Sequence, residues 1–295
     1  MGSKFRIGPH YAVVFDNSQG FTIWGNWGPF AAANYNMGWH SKGGHDRTFG
    51  TNAKAWDWCS VNNAGFEYYQ NAKKDGIGLP PHNPRIWVFR HQSNASCAPM
   101  LRRVWHPIGY SSNSGWSNFF INITAGRLLT YTNTLLKFAL PDIVIGTGGG
   151  YNTYDIYESV NHELSHASHF NKVGSAFWAK YVNYIITYGK KYDHPYGDAS
   201  CNNSGFCGVG EMWGYAMGYI RTYEKYQQKP KNGQSKWFQP NLLYDLMTEK
   251  ILTKKQIFDC LSSDVTSHAL LKQKMISRYP SKKDSIIAKF SRYGF

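Results

Sequence analysis

Tyr154-Asp155-Ile156-Tyr157-Glu158-Ser159-Val160-Asn161-His162-Glu163-Leu164-Ser165-His166-Ala167-Ser168-His169-Phe170 lies near the middle of the 295-residue chain and contains the pattern HExxH. Its period is helical: Ile156, Tyr157, Val160, Leu164 and Ala167 fall on one stripe, and His162, His166 and His169 fall opposite. Residues four apart on a helix are neighbours, so His162 and His166 can turn imidazole nitrogens toward one ion. Glu163 falls beside them, where its carboxylate can take a proton from a water on the metal. With 11 histidines in the chain and only six glutamates, the pattern arises by chance about once in a hundred such sequences. The expected cofactor is therefore one zinc ion, with His162 and His166 as ligands and Glu163 as general base.

A catalytic zinc site takes three protein ligands and keeps one position open. The longer HExxHxxGxxH pattern is absent, because residue 172 is Lys172 and residue 169 is His169. Two candidates remain for the third ligand. Glu211 sits in Gly208-Val209-Gly210-Glu211-Met212-Trp213-Gly214-Tyr215-Ala216-Met217-Gly218-Tyr219-Ile220, which is apolar on nearly every face and predicts a buried helix. A lone buried carboxylate is costly without a cation; alternatively, Glu211 only opens that helix, where the macrodipole favours negative charge. His169 shares the histidine face, but one straight helix rarely wraps three sides of a tetrahedral ion.

Outward from this segment, Pro141-Asp142-Ile143-Val144-Ile145-Gly146 reads as a strand ending in the turn Gly148-Gly149-Gly150. Upstream, residues 58–74 carry helical spacing and stop before Asp75-Gly76, while residues 85–90 alternate as a strand does. Short strands are also expected at residues 11–15, 21–24 and 119–124, a helix or strand at 128–138, and loop from 91 to 118. From residue 154 onward the pattern is mainly helical. The fold class is α+β, divided as a β-rich N-terminal segment (1–51), a mixed unit ending in the HExxH helix (52–170) and a helical unit (171–295).

His162-Glu163-Leu164-Ser165-His166 followed by Glu211, 45 residues on, resembles the gluzincin branch of the zincin metallopeptidases over residues 52–226. That resemblance implies a two-lobed molecule, with a mixed α/β upper lobe holding a backing helix (58–74), a cleft-edge strand (142–146) and the active-site helix. The lower lobe would be helical. It further implies hydrolysis of peptide bonds in proteins or glycoproteins, with the substrate extended along the edge strand. One departure is visible: four positions after the glutamate ligand, where thermolysin-like members carry an acidic residue, this chain has Tyr215. The partner that orients a zinc histidine is thus unassigned, and Tyr215, His194 and Tyr196 are the candidates for steadying the transition state.

Composition excludes several classes. At 42% hydrophobic and 17% aromatic residues, with no low-complexity run, the chain is globular. No stretch approaches 18 uninterrupted apolar residues, so no transmembrane segment is expected. Met1-Gly2-Ser3-Lys4 lacks the apolar core of a secretory leader and resembles a cloning remnant, so any leader is expected outside this chain. Five cysteines (Cys59, Cys97, Cys201, Cys207, Cys260) show no CxxC spacing; a disulfide joining Cys201 and Cys207 would fit a secreted or cell-surface location.

The formal charge of +14 is spread along the chain, with Lys254-Lys255 and Lys282-Lys283 the densest clusters, as on solvated helix faces. No RNA- or DNA-binding motif accompanies it, and no nucleic-acid partner is expected. The rival to an enzyme is a noncatalytic zinc-containing protein binding glycans or peptides through Trp24, Trp27 and Trp39. Glu163 argues against it, since a structural zinc has no use for a base beside the ion.

Overall fold

The computed structural model describes residues 4–7, 10–16, 48–82, 84–89, 96–100, 103, 141–192, 196–228 and 236–295. Its strands are β1 (Lys4–Ile7), β2 (His10–Asp16), β3 (Arg85–Phe89) and β4 (Ile143–Gly146). Its α-helices are α1 (Lys54–Asp75), α2 (Thr153–Tyr192), α3 (Ser204–Tyr226), α4 (Asn241–Thr248), α5 (Lys254–Cys260), α6 (His268–Arg278) and α7 (Lys283–Arg292). Helices dominate and the sheet is small, an arrangement compatible with the α+β class. The expected strands at 21–24, 119–124 and the segment 128–138 lie outside the described residues.

The sheet runs in the order β1-β2-β3-β4, antiparallel at the first pair and parallel at the next two. A parallel pair needs a crossover of a dozen or more residues, and α1 supplies it between β2 and β3. The N-terminal segment therefore gives two strands to the same sheet that carries β3 and β4. Helix α1 ends as its sequence predicts, on Gly76 in the left-handed conformation (φ 69°), whose N–H reaches back to the carbonyls of Ala72 and Lys73.

β4 is buried along its whole length, which explains its unbroken β-branched run. Asp142, fully buried just before it, accepts hydrogen bonds from the Arg85 N–H (2.9 Å) and the Arg103 guanidinium (3.0 Å), pinning β3 and β4 at one end. Sequence reasoning places the open edge at 142–146, but Val144 exchanges both backbone hydrogen bonds with Cys97 on the side away from β3. Among the described residues β4 is still the last strand of the sheet, and this isolated bridge of one residue pair carries no period that a sequence can display.

Helix α2 packs its apolar stripe, Ile156, Tyr157, Val160, Leu164 and Ala167, into the core as expected. Its axis breaks at Gly174 (φ 81°, ψ 175°), a conformation costly for any residue with a Cβ, one turn beyond the expected boundary at 170. Helix α3 approaches α2 closely along Gly214 and Gly218, where an added Cβ would meet His162, His166 or the Glu158 carbonyl at 2.7 to 3.4 Å. Small residues at i and i+4 let two helices cross at short distance. Trp213 locks this crossing by donating from Nε1 to the Ser165 carbonyl (3.1 Å), and Tyr68 of α1 bonds Ser168 from the other side (2.7 Å).

Helices α4 to α7 close the C-terminal half around Phe238, Leu242, Leu243, Leu246, Leu271, Met275, Ile286 and Phe290, all in the same buried cluster. Thr253 and Gln256 form a reciprocal cap on α5, and Ser267 caps α6. None of the five cysteines is in a disulfide, so the expected Cys201–Cys207 bridge is not formed. Among the described residues no helix is long and apolar enough to cross a membrane.

Candidate metal centre

His162 and His166 project from α2 one turn apart, and Glu211 enters from the first half of α3. Their ligand atoms converge: the Glu211 Oε2 atom lies 3.5 Å from His162 Nε2 and 3.7 Å from His166 Nε2, while the two Nε2 atoms are 2.9 Å apart. Donors held about 2.0 to 2.2 Å from a tetrahedral ion lie roughly 3.4 Å from one another, so the histidine–carboxylate separations suit a zinc-sized ion. The set could hold a metal ion. Two further features fit a cation: Glu211 Oε2 is buried without a hydrogen-bond partner, and Gly214 leaves the space beside both imidazoles open.

The electrostatics agree with that chemistry. Burial alone would raise the Glu211 carboxyl, but His166 and His162 outweigh it and hold it well below the usual carboxylate range. Burial pushes the His162 imidazole down to about 4, against the pull of Glu211, so it is in the neutral form that metal ligation needs at physiological pH. Of the three side chains His162 is the most accessible, at 11% against 3% for His166 and 4% for Glu211. His162 is thus the side chain of the three nearest to solvent.

Glu163 is adjacent. Its Oε1 lies 3.9 Å from His162 Nε2, its Oε2 has no hydrogen-bond partner, and the residue is only 4% exposed. Burial, then the Glu211 charge, pushes its carboxyl well above the carboxylate range. A cation among the three ligands would oppose this and pull the group back toward a value useful to a base.

Sequence reasoning leaves His169 as a rival ligand facing a cleft, and the structure does not bring it into the group. It is fully buried, packed edge-on against Phe177 and Trp178 at 5.3 and 5.8 Å between centroids. Burial lowers its pKa to about 3, with His166 adding to the effect, so it stays neutral inside the core. Its position on the histidine stripe misleads because the break at Gly174 folds Phe177 and Trp178 back over that part of the face.

Tyr215, one turn beyond Glu211, sets its ring at 90° to the His162 imidazole, 4.4 Å between centroids. Its hydroxyl pairs with that of Tyr196 at 2.7 Å, a bond that uses only one of the two hydroxyl protons. His194 lies outside the described residues.

Three residues at this site escaped the sequence reading. Tyr181, beyond the Gly174 break, donates its hydroxyl to Glu211 Oε1 and orients the carboxylate. Nothing marks it among 21 tyrosines. Cys97, on the rim segment, lies close enough to Glu163 and Glu211 that both add to the burial that raises its thiol. Gly214 could have been found, since glycines at 210, 214 and 218 repeat at the helical spacing of a close crossing. Tyr181→Phe is expected to keep the fold and lower zinc affinity about 10- to 100-fold, the usual cost of losing a contact that orients a ligand; competition with a chromogenic chelator measures it. Comparison with known protein families, with curated proteins and with solved structures finds no match to this chain.

Proposed function

We propose that this chain is a zinc-dependent peptidase, with His162, His166 and Glu211 as ligands and Glu163 as general base. The observation that carries the reading is the convergence of the two α2 histidines with Glu211 of α3 in one buried group, with an unpartnered carboxylate beside it. The gluzincin resemblance and its two-lobed fold belong to the same proposal, the boundary falling where α2 breaks at Gly174.

When bound, zinc lowers the pKa of a coordinated water toward neutrality and polarises a carbonyl oxygen. Glu163 accepts the proton of the attacking water through its unpartnered Oε2 and returns it to the leaving amine, so the same carboxyl serves as base and then acid. The Tyr196–Tyr215 pair offers its free hydroxyl proton to the oxygen on which negative charge develops. Buried walls around Glu163 and Glu211 keep bulk water from screening these charges. The expected substrate is a protein or glycoprotein segment extended along the edge strand β4, which Cys97 meets at one residue pair.

His162→Ala is expected to reduce zinc from one ion per chain to below about a tenth while leaving helical content unchanged, because the remaining two ligands do not make a site. Metal analysis after dialysis, beside a digestion assay that chelator stops and zinc restores, tests it. Full zinc retention in the variant contradicts the ligand assignment; zinc-bound wild type that cleaves no peptide contradicts the activity.

A further inference from the structure

Lys236 borders this site and has no role in the chemistry above. It occupies a tight turn fixed by its neighbours: Trp237 donates from Nε1 to the Tyr196 carbonyl (3.0 Å), Phe238 is fully buried, and the Gln239 N–H returns to the Lys236 carbonyl (2.8 Å). These contacts fix the Lys236 backbone, and the ammonium rests against two tyrosine rings. It lies 4.5 Å from the centre of the Tyr196 ring and 4.8 Å from that of Tyr215, and the single ring of Tyr215 separates it from His162.

Several other lysines meet carboxylates: Lys225 meets Glu67, Lys254 meets Asp75 and Glu224, Lys274 meets Asp264, and the buried Lys289 meets Glu249. Lys236 has neither a carboxylate within 4 Å nor a hydrogen-bond acceptor among the described residues. Two aromatic faces steady a cation without using its N–H donors. A half-buried ammonium whose three donors meet no acceptor among the described residues, one tyrosine ring away from His162, is a receptor for an anion.

We propose that Lys236 is a specificity-determining residue, which receives a carboxylate carried by the substrate close to the scissile bond on the Tyr215 side. The proposal rests on the peptidase reading for its substrate, but not for its chemistry: any small ligand that anchors on the metal and extends a carboxylate past Tyr215 meets the same ammonium. That carboxylate comes either from an acidic side chain or from the end of a peptide.

The test uses zinc-loaded wild type, Lys236→Met and Lys236→Arg with two probes, the monohydroxamate of succinic acid and that of succinamic acid, identical in length and differing in one charge. Calorimetric titration is expected to show the acid bound about 10- to 100-fold more tightly than the amide by wild type, as for a hydrogen bond to a charged group. The ratio should fall to about one in Lys236→Met and persist in Lys236→Arg. A wild-type ratio near one, an unchanged ratio in Lys236→Met, or failure of both probes to bind overturns the proposal. If Lys236 only steadied the tyrosine rings, its loss would weaken both probes equally and leave the ratio intact, which also overturns it.

Peptide pairs that differ as Glu against Gln at one flanking position, or as free against amidated C-terminus, then show which source supplies the carboxylate. Chelator-sensitive cleavage without any charge preference removes Lys236 and leaves the peptidase reading. Carboxylate-selective probe binding without any cleavage does the reverse.

Discussion

Glu163→Gln is expected to retain one zinc ion per chain and the wild-type helical content while losing about 10² to 10⁴ in kcat/KM on a cleavable peptide. Glutamine keeps the size of the side chain and can still hydrogen-bond a water, so neither packing nor metal ligation changes. It cannot accept a proton at neutral pH, so the chemical step alone suffers. The buried environment sharpens the expectation: among the described residues Glu163 Oε2 has no hydrogen-bond partner, and the group's other carboxylate, Glu211, is the proposed ligand. The residual rate comes from the Lewis acidity of the ion. Equal kcat/KM for wild type and variant at matched zinc occupancy, with contaminating protease excluded, removes Glu163 from the mechanism and brings the noncatalytic binding protein forward.

Gly214→Ala should abolish metal binding through one added methyl group. A Cβ built there falls 2.7 Å from both Cε1 and Nε2 of His166 and 3.0 Å from Nε2 of His162, in the space shared by the two imidazoles. His166 has little room to yield, because the rings of Trp178 and Tyr181 pack against it, and Tyr215 stands edge-on against His162. Overpacking of this kind costs about 1 to 3 kcal/mol, and the better helix propensity of alanine offsets up to about 1 kcal/mol of it. The protein therefore folds, with zinc affinity lower by at least about a hundredfold, beyond the effect of losing one orienting contact. Denaturant titration of the metal-free proteins beside chelator competition separates the two quantities. Affinity within about threefold of wild type shows that the ion sits elsewhere.

The parts of this architecture legible in sequence are those with a period or a punctuation mark. The α2 stripe has the 3.6-residue period, Asp75-Gly76 stops α1, and Ile143-Val144-Ile145 between Pro141 and the glycine run reads as a buried strand. His162, Glu163 and His166 follow from local spacing, and Glu211 from the cost of its burial. What stayed hidden depends on tertiary approach. Tyr181 reaches Glu211 only because α2 breaks at Gly174, and that same break buries His169 beneath Phe177 and Trp178. Lys236 is one of 32 basic residues until Trp237 anchors it to Tyr196. The rim at Cys97 depends on a single bridge to Val144.

Crystals of the zinc-reconstituted protein, measured on both sides of the zinc absorption edge, test the metal centre most directly. The expected result is one anomalous peak between α2 and α3, about 2.0 to 2.2 Å from His162 Nε2, His166 Nε2 and a Glu211 carboxylate oxygen. Absence of a peak there, or a peak more than about 4 Å from the Glu211 carboxylate, contradicts it.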